Sequence, residues 1–347
     1  MILHAPLARY CTPGACLKPE SWVSSCASHA TGSQYAPSTI ANNKGWNVFK
    51  NVMLYRMVGG WTLTQAQLEE ALQADRFVPC GASQEKSVGW VEPRGLAHGP
   101  LVEVVAGQWL LKQMLEVKAV PAAVVKRKVE EQVADIEART GRKPGKKEIR
   151  ALRDDTRLAL LPMAFTKQSS VLVWIDPKAR LLLLGAGSQA KADEVMTGLV
   201  KAIDGLAVQL VNTKTSPSAA MAAWLSEQAA PVGFSVDREC ELKAADESRA
   251  VVRYTRHALD TDEVCGHIAM GKVPTRLAMT WNDRLSFVLT DTLQLKKLVF
   301  LDVVLEGADA APGDGKDDGF DADVAIATAE LGRMIPELLE ALGGEMA

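Results

Sequence analysis

The sequence predicts an α+β fold, and three observations carry that prediction. Segments of period two come in runs joined by short turns, as hairpins and meanders, rather than each being followed by a helix. The helix-period segments stand apart from these runs and carry their own start and stop residues. No short-period repeat runs through the 347 residues. Strands grouped with strands in this way indicate α+β rather than a doubly wound parallel sheet.

Residues 1–47 stand outside the pattern. They have no sustained period, are rich in Ser, Thr, Pro, Gly and Asn, and hold Cys11, Cys16 and Cys26, half of the cysteines. This predicts disorder. From Val48 the pattern is dense. Residues 48–57 read as a strand, and Leu63–Ala74 as a helix entered through Thr64 and Gln67, a capping box. Leu101–Val105 and Gln108–Leu115 form a hairpin around Ala106-Gly107. Pro121 opens a helix whose stripe is Val125, Val129, Val133 and Ile136, and Gly141 with Lys143-Pro144-Gly145 breaks it. A second helix, with Ile149, Leu152, Ala159 and Leu160 on one side, runs to Pro162. Strand 168–175, a turn at Asp176–Ala179, strand 180–184, helix 188–204 and strand 206–212 follow. A helix over 217–228 leads to a strand-rich stretch ending at Leu259. Asp260 with Glu263 forms another capping box, and Gly271 ends that helix. Residues 274–305 form a meander with a turn at Asn282-Asp283, and 321–342 are helical up to Gly343-Gly344. Gly332 and Pro336 predict a break in that last helix, with Pro336 opening a second short one; Leu331, Ile335, Leu338 and Leu342 form its apolar seam. The resulting parts are 48–120, a helical basic segment 121–165, and 166–347.

A hydrophobic share of 48% with 23% charged residues is the balance of a globular chain. No apolar run, Leu181–Leu184 included, is nearly long enough to span a bilayer, and no charged start leads into a secretory h-region. Six cysteines, including Cys80, Cys240 and Cys265, make no disulfide framework in a chain this long, which predicts a cytoplasmic location. The net charge is only −3, but it is segregated. Residues 139–157 hold eight basic side chains against three acidic ones, a local net of +5, and residues 302–345 hold two against twelve, a local net of −10. A weakly acidic total therefore leaves room for a basic working surface.

Most short motifs fail on context. Gly185-Ala186-Gly187-Ser188-Gln189-Ala190 has the spacing of a dinucleotide fingerprint, but it follows what reads as the second arm of a hairpin rather than the first strand of a βαβ unit. Gly141–Lys147 joins two helices and has no Ser or Thr after its lysine, so it is not a nucleotide loop. Aligning Gly319 with the central glycine of a calcium loop puts Lys316 and Ala325 where ligands are needed, and Asp314–Asp323 reads as an acidic turn. Cys265 and His267, with Cys240 and His257 elsewhere, read as a buried cysteine and a half-exposed histidine rather than zinc ligands. No catalytic signature and no cofactor is indicated.

The basic helix is the positive signal. Lys146, Arg150, Arg153 and Arg157 are spaced 4, 3 and 4, which stacks them on one helix face, clear of Ile149 and Leu152. Arg139, Arg142 and Lys143 adjoin them, and Lys126-Arg127-Lys128 lie on the preceding helix. Such a row can meet successive phosphates and release counterions; equally, it can be a solvated helix face. No base-reading module accompanies it.

Ordered motifs give the chain a family resemblance. Phe49-Lys50-Asn51-Val52-Met53-Leu54-Tyr55-Arg56, Phe77-x-Pro79-Cys80-Gly81, Gly89-Trp90-Val91-x-Pro93, Leu160-Leu161-Pro162-x-Ala164-Phe165, Trp174-Ile175-Asp176, Phe320-Asp321-Ala322-Asp323 and Leu339–Glu345 resemble, in order, the bacterial recombination-associated RdgC family. The resemblance covers 48–347. It implies a non-enzymatic, nucleoid-associated protein that binds double-stranded DNA with little sequence preference. It also implies a ring-shaped homodimer with duplex passing through a basic hole, restraining the recombinase RecA. By position it implies a ring-closing contact through Phe165 and polar or basic positions near the hole at Arg142 and Arg256, with His257 at a place where a neutral amide can stand. The residues alone would make Phe165 an ordinary core phenylalanine. Family members start just before the equivalent of Phe49, so Val48 is expected to mark the start and residues 1–47 to be absent from the native protein. Two other classes compete: a DNA-processing or nucleotide-using enzyme, resting on Gly185–Ala190 and the acidic cluster, and a protein scaffold that touches the recombinase directly.

Overall fold

The computed structural model describes residues 48–60, 63–305 and 316–346; the expected disorder and start-site boundary of residues 1–47 lie outside these, as does Asp314 of the acidic turn. Strand β1 (Val52–Val58) is apolar at nearly every position because it is covered on both faces. Val52 and Leu54 join one buried cluster, and Met53, Tyr55 and Met57 join another. The chain continues through helix α1 (Gln65–Gln73), strands β2 (Lys86–Val91), β3 (Glu103–Val105) and β4 (Gln108–Ala119), helices α2 (Ala122–Thr140) and α3 (Lys146–Leu160), and strands β5 (Phe165–Asp176) and β6 (Leu181–Leu184). Helix α4 (Gln189–Ala202), strand β7 (Ala207–Leu210), helix α5 (Pro217–Ser226), strands β8 (Phe234–Ala244) and β9 (Val251–Thr255) and helix α6 (Asp262–Ala269) follow. Strands β10 (Lys272–Trp281), β11 (Leu285–Thr290) and β12 (Gln294–Phe300) and helices α7 (Asp302–Leu305) and α8 (Lys316–Ala341) complete it.

The α+β class holds, with every named strand pairing antiparallel. Hairpins and meanders join in one 12-stranded sheet, in the order β2-β4-β5-β6-β1-β12-β11-β10-β8-β9, with β3 on β4 and β7 on β1. Helices α1 and α4 cover one face of its middle through Leu68, Leu72, Val195 and Leu199. Helices α5, α6 and α8 cover the other face through Met221, Trp224, Val264, Leu331, Ile335 and Leu338. Leu181 and Leu183 of β6 point to the second layer and Leu182 and Leu184 to the first, which is why four leucines stand in a row.

Local chemistry explains most boundaries. Thr64 and Gln67 form the expected capping box. Ala106 (φ 51°) and Gly107 (φ 79°) turn β3 into β4, and Asn282 (φ 45°) and Asp283 (φ 53°) turn β10 into β11, both with the positive φ pair of a type I′ hairpin. The carboxylate of Asp176 accepts from the Lys178 and Ala179 N–H groups at 2.9 Å each, closing the β5–β6 turn.

Several expectations are corrected. Residues 316–323 of the expected acidic turn form the start of helix α8 instead. Asp260 and Glu263 form no capping box: Thr261 is the N-cap of α6 without a side-chain bond, and the Glu263 carboxylate instead accepts from the Tyr254 hydroxyl at 3.0 Å. Helix α8 does not break at Pro336 but runs through it to Ala341. Leu331, Met334, Ile335, Leu338, Leu339 and Leu342 are all buried, and that packing outweighs one missing backbone bond.

Strand β2 escaped the sequence reading because it is short and interrupted by Gly89. That glycine is required. A Cβ there would stand 2.6 Å from the Phe77 nitrogen and 2.9 Å from the Arg76 carbonyl carbon, where the 76–77 backbone crosses β2. Gly89→Ala should therefore cost about 1–3 kcal/mol by overpacking. Gly266→Ala, in α6 with open space at its Cβ, should be neutral or stabilising by up to about 1 kcal/mol. Urea unfolding of the two variants checks this, and equal midpoints would contradict it.

Candidate nucleic-acid interface

Strands β4 and β5 pair along their full length, from Trp109 opposite Ile175 to Ala119 opposite Phe165. Helices α2 and α3 form an antiparallel arm carried on the end of that ladder. Gly141 (φ 68°) ends α2 in the left-handed conformation, its N–H donating to the Glu137 carbonyl. Helix α3 restarts at Gly145, whose N–H donates to the Glu148 carboxylate at 2.9 Å. The two helices share a thin apolar seam. Val125 and Val129 are buried, Ile149 and Leu152 half-buried, and the buried Thr156 hydroxyl donates to Gln132 at 3.0 Å. Every charged side chain of the arm is exposed, so the charges are not there to satisfy a core.

The structure sorts those charges. The Gly145 N–H, together with Arg142 donating at 3.1 Å, holds the Glu148 carboxyl below its ordinary range. Arg157 pairs with Glu85 at 2.7 Å, and Arg139 bonds the Asp135 carbonyl at 3.2 Å. Lys126 and Arg127 face Glu130 and Glu131 at 3.8 Å each on the exposed surface of α2. Among the described residues, Lys143, Lys146, Lys147, Arg150 and Arg153 have no ion-pair partner, and all are exposed. The row predicted on α3 is present, with Lys146, Arg150 and Arg153 available to an anion and Arg157 engaged within the chain.

The base of the arm is held by a buried carboxylate. Glu116 on β4 accepts from the Gln168 amide at 2.6 Å and from the Cys80 N–H at 2.8 Å, and these bonds hold its pKa down. Lys118 donates to the Gly81 carbonyl at 2.7 Å, fixing the same loop.

Phe165 is not a core residue. It is 89% exposed, at the first position of β5, and Met163 (72%) and Leu158 (54%) just before it are exposed as well. Strand β6 pairs with β5 only from Val173 to Asp176, so one edge of β5 stays open over 165–171. An exposed aromatic beside an open strand edge has the character of a contact surface.

Arg256 is not brought to the arm. It follows β9 at the opposite end of the sheet, exposed with φ 56°, seven strand spacings from β5, roughly 30 Å along the sheet. His257 beside it lies against the Ala258 carbonyl and the Tyr254 ring.

Several of the motifs named above hold the fold together. Phe49 packs on Trp174 at 6.1 Å between ring centres, and the Trp174 indole N–H donates to Gln108 at 2.8 Å. Arg56 from the first motif pairs with Glu345 from the last, joining β1 to the C-terminal segment. Arg94 holds Glu103 at 2.9 Å and Asp321 at 2.6 Å and lies over the Phe320 ring. Gly185 approaches the β5 backbone, where a Cβ would fall 3.1 Å from the Leu172 carbonyl oxygen, so strand packing accounts for that glycine. No group of three or more metal-ligating side chains occurs among the described residues.

A family model described as "Putative exonuclease, RdgC" matches residues 47–345. "Recombination-associated protein RdgC" of Dechloromonas aromatica is 44% identical over 302 residues, covering 86% of this chain and 98% of that protein. The proteins of the same name from Herminiimonas arsenicoxydans and Bordetella pertussis are 43% and 41% identical over 299 and 297 residues, covering 86% of this chain and 99% and 98% of theirs.

Proposed function

The chain belongs to the RdgC family, and we propose that it is a sequence-nonspecific double-stranded DNA-binding protein, closing as a homodimeric ring and limiting access of the recombinase RecA to DNA. The observation that carries this reading is the α2–α3 arm, where Lys146, Arg150 and Arg153 line one exposed helix face with no acid engaging them. Cations so arranged attract phosphate without reading bases, because they reach the backbone of any sequence. The exposed Phe165 at the root of the arm supports closure of two subunits there, and Arg256, at the far end of the sheet, is a second DNA contact on this reading. Arg139, Arg142, Lys143 and Arg157 add to the positive field around the arm. No cofactor is needed for such binding, and the nucleoid is where it would place the protein. No helix among the described residues is long and apolar enough to cross a membrane.

The description "exonuclease" in the family model favours a second reading, a DNA-processing enzyme. One experiment separates the two. Purified protein is titrated with labelled duplexes of unrelated sequence over a salt series, with and without magnesium and nucleotide. Binding that falls linearly in log–log with salt, with equal slopes across sequences and intact DNA throughout, is expected. Cleavage or nucleotide turnover would favour the enzyme, and no binding would end the proposal.

A further inference from the structure

Beyond β1 the sheet changes character. In β8–β12, Cys240, Leu242, Tyr254, Leu277, Met279, Leu289 and Leu295 face the helices, and none of the buried residues of these strands packs under α1 or α4. Among the described residues no helix layer covers their other face, which is mostly polar, the usual one-sided pattern of an antiparallel sheet. Its charges are not evenly mixed. Glu239 is held by Lys297 at 2.5 Å, and Glu241 by Arg253 at 2.6 Å and the Thr275 hydroxyl at 2.8 Å, with Arg276 at 4.0 Å. Once these acids are engaged, Lys243 and Lys296 have no ion-pair partner among the described residues, and Arg276 shares a carboxylate already taken by Arg253. All three cations line a single cleft of about 410 Å³, together with Thr292 and with Ser188 and Gln189 at the start of α4. One further acid, Asp291, stands on its wall.

We propose that this cleft is a further contact for the phosphodiester backbone, made by Lys243, Arg276 and Lys296 and separate from both the α3 row and Arg256. The proposal rests on the DNA-binding reading above and extends it to residues in no charged run of the sequence. Three cations converging on a concavity focus potential more strongly than the same charges on a convex surface. The start of α4, with no acid in its first turn and no side-chain bond from Ser188, adds its unpaired amides to that field; the cations carry the argument. Strands β12, β10 and β8, which carry the three cations, stand three, five and six spacings from β5, roughly 15–30 Å. A contact there would fall on phosphates other than those met by α3.

The test is the double variant Lys243→Ala with Lys296→Ala, titrated with duplex over the same salt series as the parent. Losing two phosphate contacts should lower the salt slope by about 1.8 and the affinity at 0.1 M salt roughly fifty-fold. In parallel, lysine acetylation of the parent, read by mass spectrometry, should show Lys243 and Lys296 protected when duplex is added. This second readout needs no variant to fold. If the parent binds DNA while the folded double variant keeps its affinity and slope, or both lysines stay reactive in the complex, the inference is overturned and the DNA-binding reading stands. If the parent binds no duplex, that reading falls first and takes this one with it.

Discussion

Replacing Lys146, Arg150 and Arg153 together by alanine should weaken duplex binding by roughly two to three orders of magnitude at 0.1 M salt and reduce the salt slope by about 2.7. The size follows from counterion release, about 0.9 per phosphate contact, for three exposed cations on one face of α3. The loss should be the same on unrelated sequences, because contacts of this kind position the protein without reading bases. Folding should survive, since none of the three belongs to the seam of Val125, Val129, Ile149, Leu152 and Thr156. Arg157→Ala supplies the contrast. Its guanidinium pairs with Glu85, so the variant should lose at most about 1 kcal/mol of stability and leave the salt slope nearly unchanged. Circular dichroism with fluorescence anisotropy over a salt series measures both. A folded triple variant with the parent's slope would make the row a solvated helix face.

The row is legible in the sequence, but which of its members are engaged is not, and the reason is distance along the chain. Glu85 lies 72 positions before Arg157, and no periodicity connects them. The Arg142–Glu148 pair spans a helix restart at Gly145, outside the spacings along which helix charges meet. The cleft at Lys243, Arg276 and Lys296 is invisible in the sequence for the same reason, since four strands and the start of α4 contribute to it and no local charge run marks it. Hairpins with strong local chemistry were legible, as at Ala106-Gly107 and Asn282-Asp283. Features decided by tertiary packing were not: β2 depends on Gly89 letting the backbone of Phe77 approach, and α8 continues through Pro336 because its apolar side is buried. Phe165 shows the limit most sharply. By sequence alone it reads as core, and only its placement on the first position of β5, past the end of α3, leaves it in solvent.

On the proposed ring-closing role of Phe165, Phe165→Ser should convert a closed clamp into an open one. The side chain is 89% exposed in the single chain, so its loss removes almost no intramolecular burial, and stability should change by no more than about 0.5 kcal/mol. In a two-fold contact the same patch is used twice, so one substitution damages both sides. Each buried phenylalanine contributes about 1.5–3 kcal/mol, and losing both should weaken closure by roughly two to four orders of magnitude. A dimer held at a second interface would persist, and the basic face of α3 and its salt slope would be intact, because no cation has been removed. What should change is escape. If the parent closes as the proposed ring, it should leave a closed circular duplex far more slowly than a linear one, whereas the variant should leave both at similar rates. Dissociation measured by competitor challenge on circular and linear forms of the same DNA decides it. A folded variant that holds circles as long as the parent would remove Phe165 from ring closure. A variant that unfolds would contradict its exposed position on β5.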